Sequence, residues 1–241
     1  MNSFFITGTD TNVGKTTACR AIIQALQDKE INIVGFKPIA CSAEETHYVS
    51  GRNPVSDYEN KENSDVLILM DSTEQNVTYE EINSYTFNHS LPMLVEEKAR
   101  IKLDKINQML DKLCHKYQAV AVEGAFGLLT PMTEGKGFAD WVKERKMPII
   151  LVVGIKDGCI SHALLTVQAI RSLGVPLLGW VANRVNPLLS HYAEIIEFLE
   201  KNIDAPLLGK IPYIHKPESQ ELGQYLTNID HLLSLYTEQT K

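Results

Sequence analysis

Residues 4–23 read FFITGTDTNVGKTTACRAII, running from Phe4 to Ile23. A short apolar stretch meets a turn rich in Gly and Thr, then a Lys-Thr pair, then a segment with apolar residues at helical spacing. Strand, turn and helix in this order, with Gly14-Lys15-Thr16 at the turn, is the context a phosphate-binding loop requires. Loop N–H groups and the start of the helix can surround phosphate oxygens, Lys15 can reach the β- and γ-phosphates, and the Thr16 hydroxyl can ligate Mg²⁺. Strict spacing would put the first Gly at position 9, where Thr9 stands, while Gly8 lies one residue early, so the loop is a variant.

Beyond that stretch, six short apolar segments recur: Phe4 to Thr7, Ile33 to Lys37, Ala119 to Val122, Ile149 to Val153, Leu177 to Ala182 and Leu207 to Ile211. Helical patterns lie between them at Thr17 to Lys29, Lys102 to Lys116, Phe138 to Lys146, Ile160 to Leu173 and Leu188 to Asn202. Alternation of this kind predicts an α/β fold, a doubly wound, mainly parallel sheet with helices on both faces. The strands are apolar throughout, as covered strands are. We therefore expect a single P-loop NTPase-type α/β domain over residues 1–241. The polar stretch Ser42 to Asn63 is longer than an ordinary connection, and reads either as a surface excursion or as a lid beside the site. The chain after Lys216 reads as a helix-forming tail.

Composition narrows the function. Lys and Arg total 23 against 30 Asp and Glu, a formal charge of -7, the wrong balance for neutralising nucleic-acid phosphates. The apolar runs are far shorter than the roughly 20 residues that span a bilayer. Cys19, Cys41, Cys114 and Cys159 form no CxxC pair, and no basic region precedes an apolar leader. The expectation is a cytoplasmic protein with neither nucleic-acid nor membrane partners.

Mg²⁺ on a triphosphate takes hard oxygen ligands, so carboxylates near the loop matter. Glu123 follows "AVAV" at the carboxyl end of a strand, where open α/β sheets place ligands, and is either a metal ligand or a helix-capping or turn acid. Asp65 lies in "NSD" before the apolar "VLILM"; it is either a metal ligand or a helix-start charge. Lys37 in "GFKPIAC" stands at the end of the second strand, either an ordinary solvated lysine or a stabiliser of charge in phosphoryl transfer. His162 reads as a packing residue at a helix end.

Taken in order, "GTDTNVGKT", "GFKPIA", "NSD", "VEGA", "GFADWV", "PIILVVGIKDGCISHALLT" and "LGWVANRV" resemble dethiobiotin synthetase, the ATP-dependent ring-closing family of biotin synthesis. The likeness runs from residue 4 to about residue 214. It implies an ATP- and Mg²⁺-dependent ligase that carboxylates 7,8-diaminononanoate with CO₂ and closes the ring to dethiobiotin through a carbamate and a carbamic-phosphoric anhydride, releasing ADP and phosphate. It implies that Thr11, Asn12, Val13, Gly14, Lys15, Thr16 and Thr17 cradle the nucleotide, with Thr16, Asp65 and Glu123 on the metal. Lys37 matches the family's catalytic lysine, with Lys15 beside it. Asn183 and Arg184, with Pro212 and Tyr213 of "IPY", fall at the base. Lys37, Cys41 and the helix start at Gly158, Cys159 and Ile160 match the substrate site, which the resemblance places at the interface of a homodimer.

Several positions depart from the family's pattern. "EGAFG" puts Phe126 where a second Gly is usual, Cys41 replaces a hydroxyl residue, Ser161 replaces an Asn, and "HSLPMLVEEKAR" lacks a Ser-Pro-His near Pro92. Two other readings therefore stay open: a paralogous carbamate-forming ligase for another diamine, and a dimeric regulatory or partitioning P-loop ATPase. Against the second stand the acidic balance and Asp10, at a loop position where such ATPases commonly carry lysine.

Overall fold

The computed structural model describes residues 2–41, 62–87 and 101–237. Most of Ser42 to Asn63, and the stretch around Pro92, lie outside the described residues. Seven parallel strands form the main sheet, in the order β3-β2-β4-β1-β7-β8-β9. They are β1 (Ser3–Gly8), β2 (Ile33–Cys41), β3 (Asn83–Phe87), β4 (Ala119–Gly127), β7 (Ile149–Ile155), β8 (Leu177–Arg184) and β9 (Leu207–Ile211). A small antiparallel hairpin joins β5 (Pro131–Thr133) to β6 (Lys136–Gly137). The helices are α1 (Lys15–Gln27), α2 (Ser64–Ser72), α3 (Tyr79–Ile82), α4 (Leu103–Lys116), α5 (Phe138–Glu144), α6 (Cys159–Leu173), α7 (Tyr192–Asn202) and α8 (Asp230–Thr237).

Every residue of β1 and β7 is buried, so the middle of the sheet is covered on both faces, the condition under which continuous apolar runs make stable strands. Phe5, Phe138 and Trp141 pack ring against ring beside β1, with Phe5 and Phe138 centroids 5.5 Å apart and Trp141 edge-on to both. The chain order places β1 between β4 and β7. Connections leave it in both directions across the sheet, which makes the carboxyl end of β1 the topological switch point where such folds bind ligands.

All six expected strands are present, and the structure adds β3. Its sequence, NSYTF, is too polar to read as a strand from its pattern. It forms because it lies at an edge and side chains hold it: Asn83 Nδ2 donates to the Lys37 carbonyl at 2.7 Å, and Thr86 Oγ1 to Asn83 Oδ1 at 2.9 Å. The helix α2 also escaped the pattern reading. Asn63 caps it by accepting from the Asp65 N–H at 3.0 Å. The helix expected from Leu188 begins instead at Tyr192, because His191 turns the chain at φ 59° just before it. After Lys216 the expected helical tail is two short 3₁₀ turns, Pro217–Ser219 and Gly223–Tyr225, before α8. No helix among the described residues is long and apolar enough to cross a membrane.

Candidate active site

Sheet register brings the first group of residues together. The strands β2 and β4 pair from Ile33 with Ala119 as far as Phe36 with Val122, after which β2 continues only alongside β3. The next residue on each strand is Lys37 and Glu123, so the two side chains face each other where the sheet parts. Contrary to expectation, neither Lys37 nor Glu123 is therefore at a strand terminus: β2 runs on to Cys41 and β4 to Gly127.

Lys37 Nζ donates to Glu123 Oε1 at 2.5 Å and to Asp65 Oδ2 at 2.7 Å. Asp65 arrives on the first turn of α2. From the other side, the Thr16 hydroxyl donates to the same Glu123 Oε1 at 2.7 Å. Lys37 is 3% exposed and Glu123 0%, so neither charge has water as an alternative partner. Burial by itself would push the Lys37 ammonium down, but the charges of Glu123 and Asp65 outweigh it and hold the group well above its ordinary value. Asp65 stays below the usual carboxylate range, because Lys37 and the hydroxyl of Thr16 outweigh its own burial. Burial pushes Glu123 up, against the opposing pull of Lys37. Lys37 is thus not the solvated lysine of the simpler reading.

This group suits a small hard cation. Thr16, Asp65 and Glu123 present three oxygen-bearing side chains, the donor type Mg²⁺ takes, and Glu123 Oε2 is buried with no hydrogen-bond partner among the described residues. An acceptor orphaned in this way is costly unless something positive meets it.

The loop before α1 forms the second group. Asn12 and Gly14 both take positive φ, 54° and 85°, which turns successive N–H groups of the loop inward as an anion-binding concavity. The start of α1 has neither a side-chain cap nor an acid in its first turn, so its N–H groups stay available to phosphate. Val13 is fully buried and anchors the loop on the strand ends. A Cβ at Gly154 of β7 would stand 2.8 Å from Val13 Cβ, so the residue there has to be glycine. Gly14 is equally constrained, since an added Cβ would lie 2.0 Å from Asn183 Nδ2. That amide donates to the Val13 carbonyl at 2.9 Å and ties β8 to the loop.

Lys15 is buried, with its Nζ donating to the Asp10 carbonyl at 2.9 Å. Burial pushes the Lys15 ammonium down to about 8, even though Glu123 pulls the other way. Thr11 and Asn12 are both exposed. Beside it opens a groove lined by Asn12, Gly14, Thr17, Asn183, Arg184, Pro212 and Tyr213, all expected at the nucleotide, together with Val185, Ile211, Ile214 and Pro217. Arg184 sets its guanidinium 4.6 Å from the centroid of the Tyr192 ring.

The substrate-side residues are less tightly grouped. Cys41 ends β2 opposite Phe87, half-buried, its thiol pushed up to about 11 by burial. At the start of α6, Gly158 takes φ 78° as the cap, whereas the Cys159 side chain is buried and its N–H donates to the Lys156 carbonyl at 3.1 Å. Sequence reasoning missed Lys156, which directly follows β7. Its Nζ reaches Asp10 Oδ2 at 2.8 Å, linking the α6 turn to the phosphate loop and holding Asp10 below the usual carboxylate range. His162, expected to pack at a helix end, is exposed. Phe126 adopts φ 56°, the left-handed region that glycine favours.

Comparison with known proteins decides among the readings. An AAA domain family matches residues 2–221. The ATP-dependent dethiobiotin synthetase BioD 1 of Haemophilus influenzae is 65% identical over 239 residues, covering 99% of each chain. The chain belongs to the dethiobiotin synthetase family. A second member, ATP-dependent dethiobiotin synthetase BioD of Mannheimia succiniciproducens, is 58% identical over 239 residues, again covering 99% of each chain. Among solved structures, the MinD cell division protein of Aquifex aeolicus aligns with a TM-score of 0.55 over 98% of this chain and 96% of its own. At 17% identity that likeness is one of fold, the P-loop α/β sheet, and carries no activity.

Proposed function

We propose that this chain is a cytoplasmic, single-domain, ATP-dependent dethiobiotin synthetase. The observation that carries the reading is the meeting of Lys37, Thr16, Asp65 and Glu123 at the parting of β2 and β4, beside the phosphate loop, in a member of that family. Thr16, Asp65 and Glu123 would hold Mg²⁺, which when bound offsets the charge of the triphosphate oxygens during transfer. Lys15 and the N–H groups of the loop bind the phosphates, and the groove between Asn183 and Tyr213 takes the base.

An amine of 7,8-diaminononanoate takes up CO₂ and gives up a proton to form a carbamate. The carbamate oxygen then attacks the γ-phosphorus, and the bond from that phosphorus to ADP breaks. The second amine attacks the carbamic-phosphoric carbon and gives up a proton, phosphate leaves, and the cyclic urea is closed. Each step places negative charge between Lys15 and Lys37, and none needs a side-chain nucleophile. Of the helix-start residues, Gly158 and Ile160 suit the carboxylate tail, since the Cys159 N–H is already engaged. The large exposed apolar side chains Leu165 and Phe198 suit a homodimer surface.

Turnover of Mg-ATP with and without the diamine and bicarbonate, with the organic product identified by mass, tests the proposal. The expected outcome is dethiobiotin formed in step with ADP. ADP release indifferent to the diamine would refute it and favour a regulatory ATPase.

A further inference from the structure

The base groove has one wall that is not part of the sheet. From Pro212 to Pro217 the chain leaves β9 and passes the groove mouth, with Tyr213 51% exposed. A wall of this kind keeps its shape only if its far end is tied down. The ties come from α1, on the side chains one and two turns beyond Thr17.

Arg20 is 5% exposed, an expensive place for a guanidinium unless its donors are met. Its Nη1 donates to Asp71 Oδ2 at 2.8 Å and to Ser72 Oγ at 3.1 Å, both in α2. Its Nε donates to the Gln220 carbonyl at 3.1 Å. One turn further along, Gln24 donates to the same carbonyl at 3.4 Å and accepts from the Leu222 N–H at 2.7 Å. Gln220 closes the 3₁₀ turn that starts at Pro217, its N–H donating to the Pro217 carbonyl at 3.2 Å. Pro217 lines the groove, so the fixed carbonyl and the groove wall are separated by a single tight turn.

We propose that Arg20 is a positioning residue for the nucleotide, holding the Pro212–Pro217 wall in place through the Gln220 carbonyl, with Gln24 as the second tie. The inference rests on reading the groove as the nucleotide site. The same guanidinium also ties α1 to the last turn of α2 at Asp71 and Ser72, the opposite end of that helix from Asp65. Nothing in the arrangement touches the reacting atoms. Loss of Arg20 therefore lowers the fraction of molecules with the wall in place and leaves the rate of the bound complex alone. If that fraction falls to about one in five or one in ten, the apparent Kd and KM for ATP rise about 5- to 10-fold.

The test compares the full chain with Arg20→Met, Arg20→Lys and Gln24→Met, by calorimetric titration with a non-hydrolysable ATP analogue and Mg²⁺, by steady-state kinetics, and by amide exchange at Leu222. Arg20→Met should raise ATP KM and analogue Kd about 5- to 10-fold, keep kcat within twofold and the diamine KM unchanged, and speed exchange at Leu222. Arg20→Lys should recover part of the loss, since an ammonium can reach one acceptor but not span both elements. Gln24→Met should act in the same direction and decides the matter if Arg20→Met does not fold. A lowered Tm with nucleotide affinity within twofold of the parent would overturn the proposal and leave Arg20 a structural residue. A parent chain that binds no nucleotide would overturn the groove reading itself.

Discussion

Replacing Lys37 with Met keeps roughly the length and apolar stem of the side chain and deletes one charge, so the outcome reports on that charge. In the parent, the ammonium is shared by Glu123, fully buried, and Asp65, about one-third exposed. Deleting it strands both carboxylates at the parting of β2 and β4. Breaking a buried pair by removing one partner costs about 3–5 kcal/mol. For a chain of this size each kcal/mol moves Tm by about 2–4 °C, which gives a fall of about 6–20 °C by calorimetry. Two further readouts follow from the same charge. Millimolar Mg²⁺ without nucleotide should restore part of the lost Tm in the variant and much less in the parent, because the freed oxygens of Glu123 and Asp65 now need a cation. The loss should also shrink as pH falls. Burial raises the folded-state value of Glu123 above its unfolded one, so above about pH 4.5 the folded variant holds the extra proton and gains stability as acid is added. A Tm within about 2 °C of the parent, with no response to Mg²⁺ or acid, would refute the claim that Lys37 neutralises these carboxylates. At saturating substrates the variant's kcat should be lower by about a hundredfold or more, as for loss of one preorganised charge.

Other expectations follow from the loop and the pocket. Gly14→Ala should weaken nucleotide binding by about a hundredfold, since its Cβ meets Asn183 Nδ2 at 2.0 Å; adding Asn183→Ala should return part of the loss, leaving the strain of positive φ, in a double-mutant titration. Lys15, at about 8 in the free protein, should be raised by bound phosphates, so binding takes up a proton above pH 8. Affinity should then fall by up to about tenfold per pH unit above that point and stay flat below about pH 7, as titrations across pH would show. Phe126→Gly should lower KM for the diamine if the ring crowds its site, and an unchanged KM in steady-state assays would place the ring elsewhere.

The phosphate loop and the six buried strands could be read in advance because their signals are local. Apolar runs and a Gly-Lys-Thr turn are each contained within a few neighbouring positions. The edge strand β3 could not be read, because NSYTF has no apolar pattern and is held by the side chains of Asn83 and Thr86. Lys156 stands directly after β7, but the Asp10 that it meets lies 146 residues away in the chain. The tie from Arg20 to Gln220 spans 200 residues and had no sequence signal at all.

By itself, the sequence determined the fold class, the family and the identity of the charged groups, since composition, periodicity and motif are properties of neighbours along a chain. Only the tertiary structure decided which charges meet. Whether Lys37 faces water or two acids depends on where β2 and β4 cease to pair, a matter of register between segments more than 80 residues apart. Charges gain their strength from burial and from each other, and both are set by packing across the sheet.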